Sequence, residues 1–110
     1  MMQKEIPEIS PQELKQKLDG NESVLLLDVR EPLEYDVVHL ENAMLIPLKT
    51  LPQHINGIPS DQDIVVYCHH GQRSLYAAAY LQQNGFTDVK NLSGGIDQWA
   101  AEIDPTLPRY

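Results

Sequence analysis

The residues with the most chemical promise stand together as Cys68-His69-His70-Gly71-Gln72-Arg73-Ser74. Cys68 is the one cysteine of the chain, so neither an intrachain disulfide nor a Cys-x-x-Cys redox pair is open to it. The stretch follows Asp63-Ile64-Val65-Val66-Tyr67, an apolar run of strand type, and leads into an alanine-rich run of helix type from Arg73 to Asn84, with Gly85 as its stop. A thiol between a strand end and a helix start meets unpaired N–H groups and the positive end of the helix dipole. Arg73 adds a full positive charge close by, and both effects favour thiolate over thiol. Gly71 lets the backbone turn tightly and bring its N–H groups round to the sulfur. The expectation is a nucleophile, Cys68, in a small anion cradle made by the amides of His69, His70, Gly71, Gln72 and Ser74, with Arg73 helping to hold the anionic loop.

Other readings of the same residues need weighing. A lone cysteine is in general more often a buried core residue than a nucleophile. Here a strand exit, a glycine, an arginine and a helix start fall within seven residues, which reverses that balance. Cys68, His69, His70 and His39 are all able to ligate metal, but no pair has finger-like spacing, and adjacent His69 and His70 are expected to point in different directions. No metal and no cofactor is therefore expected. The two histidines line the mouth of the pocket or are exposed bystanders, and both readings stay open.

The loop is positioned by the elements around it. Ser10-Pro11-Gln12-Glu13 is a helix start, with a capping serine, a first-turn proline and a glutamate that completes a capping box. That helix is expected to reach about Leu18 and stop at Gly20. Ser23 to Val29 reads as a strand buried on both faces. Glu31 to Tyr35 reads as a short helix, Ala43 to Ile46 as a short strand, and Leu48 to Ile55 as a helix or helical turn. Val89 to Leu92 is a last strand, and Gly94-Gly95 opens a final helix through about Ala101. The segment from Asp104 to Tyr110 holds two prolines and cannot be regular helix. Alternating strands and helices predict an α/β fold, a parallel sheet with helices on both faces. Ligands of such sheets bind beyond the carboxyl ends of the strands, where Asp28, Arg30 and Glu31 form one polar cluster and the Cys68 loop the other. Asp28 reads as a strand-end carboxylate with a structural role; Arg30 is left open between an exposed arginine and a loop-ordering one. Glu31 reads as a first-turn carboxylate and His39 as a packing residue. Trp99, Leu75, Leu81 and the small Ala77, Ala78 and Ala79 are expected in the core.

The chain has 110 residues, 42% of them apolar and 22% charged, which fits one domain over residues 1–110; halves would be too small to bury a core. Sixteen acidic against eight basic residues give a formal charge of −8. Such a surface repels phosphate backbones and anionic lipid, so neither nucleic acid nor membrane is expected as a partner, and a protein partner is expected to be neutral or basic. Met1-Met2-Gln3-Lys4-Glu5-Ile6-Pro7 has no apolar stretch of signal-peptide type, and a cytoplasmic protein is the expectation.

Three blocks resemble the rhodanese family. Leu26-Leu27-Asp28-Val29-Arg30-Glu31-Pro32-Leu33-Glu34-Tyr35 is similar to its first signature, Cys68-x-x-Gly71-x-Arg73-Ser74 to its active-site loop, and Leu92-Ser93-Gly94-Gly95-Ile96-Asp97-Gln98-Trp99 to its closing signature. The resemblance implies a sulfurtransferase that carries sulfane sulfur as a Cys68 persulfide, from a small donor such as thiosulfate to a thiol or cyanide. It also implies that Asp28 and Arg30, near the entrance, order the loop or pair in a salt bridge. Val38-His39-Leu40-Glu41-Asn42-Ala43 departs from the family's Gly-His-Ile-x-Gly-Ala; Asn42 can take left-handed backbone, whereas a valine cannot cheaply do so. The ending Ile103 to Tyr110 is similar to the endings of rhodanese domains fused to adenylyltransferases, which implies sulfur-carrier proteins or a cysteine desulfurase as further partners. The rival readings are a relay module between proteins and a non-enzymatic binding or redox-sensing domain.

From Cys68 to Arg73 is six residues, the loop length that the resemblance associates with sulfur transfer; related phosphatases use a loop one residue longer. The unmodified chain is accordingly expected to leave small aryl phosphates intact, and a glycine inserted between Gly71 and Gln72 to weaken sulfur transfer. A colorimetric phosphatase assay checks this, and efficient hydrolysis by the unmodified loop would overturn it.

Overall fold

The computed structural model describes residues 5–110. Met1 to Lys4, part of the segment read above for a leader, lie outside the described residues. Five parallel strands form one sheet in the order β1-β5-β4-β2-β3. They are β1 (Glu8–Ile9), β2 (Val24–Asp28), β3 (Met44–Leu45), β4 (Asp63–Tyr67) and β5 (Val89–Leu92). The helices are α1 (Pro11–Asp19), α2 (Pro32–Val37), α3 (Leu51–His54), α4 (Gln72–Gln83) and α5 (Gly95–Glu102). No helix among the described residues is long and apolar enough to cross a membrane.

The apolar runs sort onto two faces by the two-residue period of a strand. Leu27, Ile64 and Val66 turn to one side, with Leu51 of α3 and Ala77, Ala78 and Leu81 of α4. Leu26, Val65 and Tyr67 turn to the other, with Leu14 of α1 and Ile96 and Trp99 of α5. Burial on both sides explains why β2 and β4 read as unbroken apolar runs rather than as alternation. The α1 start is as expected: Ser10 Oγ accepts from Glu13 N at 3.1 Å, and Glu13 Oε1 accepts from Ser10 N at 2.9 Å.

Several expectations need correction. Strand β1 was not foreseen; its two residues pair only with β5, Glu8 opposite Asn91 and Ile9 opposite Leu92, too short a run to show a period. Of the helix or helical turn expected from Leu48 to Ile55, the structure has the second form, a 3₁₀ turn at Leu48–Thr50 followed by the single turn of α3. Helix α4 begins one residue early, at Gln72. Leu75 is not core: it stands 42% exposed on the outer side of α4. At the departure from the family pattern, Asn42 does take left-handed backbone (φ 66°), while Val38 lies extended (φ −164°, ψ 142°). Any residue adopts that conformation, so valine costs nothing there.

Successive connections run outward in opposite directions from the centre of the sheet, β2 to β3 on one side and β4 to β5 on the other. The switch point thus lies between β2 and β4, where Asp28 pairs with Tyr67, and a crevice opens beyond those two ends. Asp28 and Arg30 fill its floor, both side chains wholly buried. Arg30 is therefore not an exposed arginine. Its Nε donates to Asp28 Oδ1 at 2.9 Å and its Nη2 to Oδ2 at 2.7 Å. Nη2 also reaches Val38 O at 2.6 Å, so a buried charge is matched by a charge and by a carbonyl.

Removing one member of such a pair strands the other in low dielectric. Asp28→Ala is expected to cost about 3–5 kcal/mol, and the double variant Asp28→Ala/Arg30→Met to recover a large part of it. Urea denaturation of the parent, Asp28→Ala and the double variant checks this; a double variant no more stable than Asp28→Ala is the contrary result.

Candidate active site

Cys68 leaves β4 and is only 2% exposed. Three donors converge on its sulfur: Gly71 N at 3.1 Å, Ser74 N at 3.3 Å and Ser74 Oγ at 3.4 Å. They surround Sγ because the loop curls back at Gly71, whose φ is 107°, a conformation that a side chain would strain. Of the predicted cradle, Gly71 and Ser74 thus bond the sulfur. His69, His70 and Gln72 belong to the same turn but make no hydrogen bond to it.

The loop is fastened from behind. Cys68 O accepts from Ile96 N at 2.9 Å and His69 O from Asp97 N at 3.1 Å, so the first amides of α5 receive the carbonyls that the turn pushes outward. A Cβ on Gly95 would come within 2.3 Å of His69 O and 2.5 Å of Cys68 O; only glycine fits between helix and loop. Asn91 of β5 is 3% exposed. Its Nδ2 donates to Gly71 O at 3.0 Å and to Glu8 Oε2 at 2.9 Å, and its Oδ1 accepts from Ser74 Oγ. Sequence reasoning missed Asn91, since a single polar residue in a short strand carries no signal of its own.

Arg73 does not point its guanidinium at the sulfur. It grips Glu34 of α2 in a fork, Nη1 to Oε1 at 2.7 Å and Nη2 to Oε2 at 2.9 Å. The Arg73 bonds, with help from the Glu31 amide and the Tyr110 hydroxyl, outweigh burial and hold the Glu34 carboxyl down to about 2. Glu34 is therefore charged throughout the neutral range, and Arg73 reaches Cys68 only through space. Glu34 also closes the start of α2, accepting from Glu31 N at 3.0 Å. Glu31 is thus the residue before that helix rather than a first-turn carboxylate.

His69 and His70 do not diverge as expected. Their rings lie against each other, centroids 3.9 Å apart and planes inclined by 35°. His69 is covered on another face by Tyr110, and its Nε2 is buried with no partner. Burial first, then the neighbouring His70, pushes the His69 imidazole below its ordinary pKa, so it is neutral at neutral pH. His70 is exposed, with Nε2 3.6 Å from Asp97 Oδ2. Asp97 joins both histidines in a cluster whose ligand-type atoms lie within 4.8 Å of one another, but Arg109 already occupies both of its oxygens, at 2.9 and 3.1 Å. His39 stacks on Tyr35 at 3.7 Å and takes no part in this site.

The chain is similar in sequence and fold to known proteins. The chain is 42% identical over 95 residues to a sulfurtransferase of Allochromatium vinosum, covering 86% of itself and 89% of that protein. It is 41% identical over 105 residues to the probable adenylyltransferase/sulfurtransferase MoeZ of Mycobacterium tuberculosis, but spans only 26% of MoeZ against 93% of itself. The solved structure of a rhodanese-like domain protein from Staphylococcus aureus superposes with a TM-score of 0.83 at 32% identity, over 96% of this chain and 99% of that one. The rhodanese-like domain model matches residues 10–102, nearly the whole of the sheet and all five helices, and the chain belongs to that family.

Proposed function

We propose that the chain is a sulfurtransferase that carries sulfane sulfur on Cys68. The observation that carries this reading is the convergence of Gly71 N, Ser74 N and Ser74 Oγ on one sulfur at the start of α4. Amide donors fixed before the reaction stabilise charge wherever it sits on that sulfur or on one added to it. The likeness to a sulfurtransferase of nearly the same length supports the same reading.

The reaction has two halves. The Cys68 thiolate attacks the outer sulfur of a donor such as thiosulfate; a new sulfur–sulfur bond forms at Sγ as the donor's own breaks, and its electron pair leaves with sulfite. A thiol or cyanide then attacks the terminal sulfur, the bond to Sγ breaks, and its pair returns to Cys68 as thiolate. With one cysteine in the chain, the persulfide has no internal thiol to resolve it, so release falls to the acceptor. Gly71 and Ser74 hold the sulfur, and His69, His70 and Gln72 shape the turn. Arg73 keeps the loop electropositive, while Asp28 and Arg30 keep its neighbour α2 in place.

A second reading, sulfur relay in which donor and acceptor are proteins, is supported by the likeness to MoeZ, where a similar domain is part of a longer adenylyltransferase/sulfurtransferase. A cysteine desulfurase and a sulfur-carrier protein are then the donor and acceptor. Intact mass after treatment with thiosulfate or with desulfurase and cysteine separates the two. A third outcome, no sulfur gained from either, would leave a binding or redox-sensing domain.

Cys68→Ser keeps the volume and the donors but cannot form a persulfide. It is expected to abolish sulfur transfer with little change in thermal midpoint; a variant that still transfers sulfur, or that unfolds, would show Cys68 to be a structural residue.

The Arg73–Glu34 fork gives a sharper test. Arg73→Ala removes a positive charge and leaves Glu34 uncompensated, so iodoacetamide should modify Cys68 more slowly than in the parent at pH 6.5. Glu34→Gln leaves Arg73 uncovered and should act oppositely, with faster modification at the same pH. If both variants speed the reaction alike, by loosening the turn around the buried sulfur, the fork serves as a mechanical clasp and not as a source of field.

A further inference from the structure

We infer that Tyr110 is a positioning residue for the Cys68 loop, holding His69 beneath its ring and Glu34 at its hydroxyl. It lies beyond the three signature blocks, in the ending that resembles adenylyltransferase-fused rhodanese domains, and the segment that carries it runs back to reach the site.

The segment is directed there by three fixings. Asp104 Oδ1 accepts from Thr106 N at 3.2 Å and Asp104 O from Leu107 N at 3.1 Å, which turns the chain where Pro105 forbids helix. Leu107 packs against the core cluster that contains Leu40 and Trp99. Arg109 then forks onto Asp97, whose own amide holds His69 O. Tyr110 is thereby delivered to the face of the catalytic loop.

Its contacts have a fixed polarity. The ring lies flat on His69, centroids 3.9 Å apart and planes 8° from parallel. The hydroxyl sits 2.8 Å from Arg30 Nη1 and 2.7 Å from Glu34 Oε2. A guanidinium only donates and an ionised carboxylate only accepts, so the phenol accepts from Arg30 and passes its own hydrogen to Glu34. A continuous polar line results: the buried Asp28–Arg30 pair, the Tyr110 hydroxyl, the Glu34 carboxylate, and Arg73 in the first turn of α4. Ser74, which follows Arg73, carries two of the three donors on Sγ. Tyr110 therefore ties the rigid floor of the crevice to the turn that holds the sulfur, and presses on the residue next to Cys68 from the other side. The phenol remains 45% exposed, so a substitution there opens no core cavity.

The test uses the full chain with Tyr110→Phe and Tyr110→Ala. Phe keeps the ring on His69 and loses the hydroxyl; Ala loses both. Cys68 modification by iodoacetamide is expected to slow in the order parent, Phe, Ala, by about threefold to tenfold at the first step, where the hydroxyl is lost, the range one net hydrogen bond sets. Direction is decisive. Cys68 is almost wholly buried, so a variant that merely loosens the fold exposes the sulfur and is modified faster. Two-dimensional NMR of the imidazole protons gives an independent readout: His69 should titrate as in the parent with Phe, and closer to an ordinary histidine with Ala, where the ring no longer shields it. Although the role rests on the sulfurtransferase reading, neither measurement depends on it. Should the parent take up no sulfur, that reading fails while these outcomes still judge Tyr110. Unchanged or faster modification in Tyr110→Ala, or a His69 titration identical in all three proteins, would overturn the inference.

Discussion

A turn that aims its amides at one sulfur must aim its carbonyls away from it, and buried carbonyls need partners. This constraint accounts for much of what surrounds the Cys68 loop. Cys68 O and His69 O are received by the first amides of α5, and Gly71 O by Leu75 N and Asn91 Nδ2. The α5 start has to come so close that Gly95 cannot carry a side chain. The glycine pair of the closing signature therefore answers a demand made some twenty-five residues earlier, by the geometry of the sulfur site. Helix α5, whose Ile96 and Trp99 seal one face of the sheet, is fixed by the same bonds that fix the loop.

The charges follow a second logic. Asp28 and Arg30 are fully buried, an arrangement that rarely adds stability over a well-packed apolar pair but holds one geometry and no other. Arg30 spends its donors in three directions: on Asp28, on Val38 O at the end of α2, and on Tyr110. Glu34 in turn ties α2 to Arg73 at the start of α4. Elements on opposite sides of the switch point are thus held at one separation by ion pairs rather than by apolar packing. That suits a crevice, whose walls have to stand apart from each other and still stay in place.

Whatever depends on near neighbours in the chain was legible in the sequence. Ser10 and Glu13 close α1 as their spacing requires, the apolar runs of β2 and β4 are buried on both faces, and Gly71 turns the loop. What stayed hidden depends on distant partners. Nothing near Glu34 in the chain points to Arg73, 39 residues on, and nothing near Tyr110 points to Arg30, 80 residues back. Strand β1 hides for the same reason, since only β5 makes it a strand. The misreading of His69 and His70 is different. Adjacent side chains diverge in a strand or a helix, but this turn is neither, and a ring from a third residue, Tyr110, packs on one of the pair.

Ser74 shows how such a site stays rigid yet responsive. Its hydroxyl has one hydrogen and two neighbours able to accept it, Cys68 Sγ and Asn91 Oδ1. That hydrogen can face only one of them at a time, and turned to Sγ it leaves Asn91 Oδ1 open. Nothing else has to move. The Gly71 and Ser74 amides stay on the sulfur, and Asn91 Nδ2 keeps its hold on Gly71 O whichever way the hydroxyl turns. The backbone thus supplies the fixed donors around the sulfur and a single rotor the adjustable one.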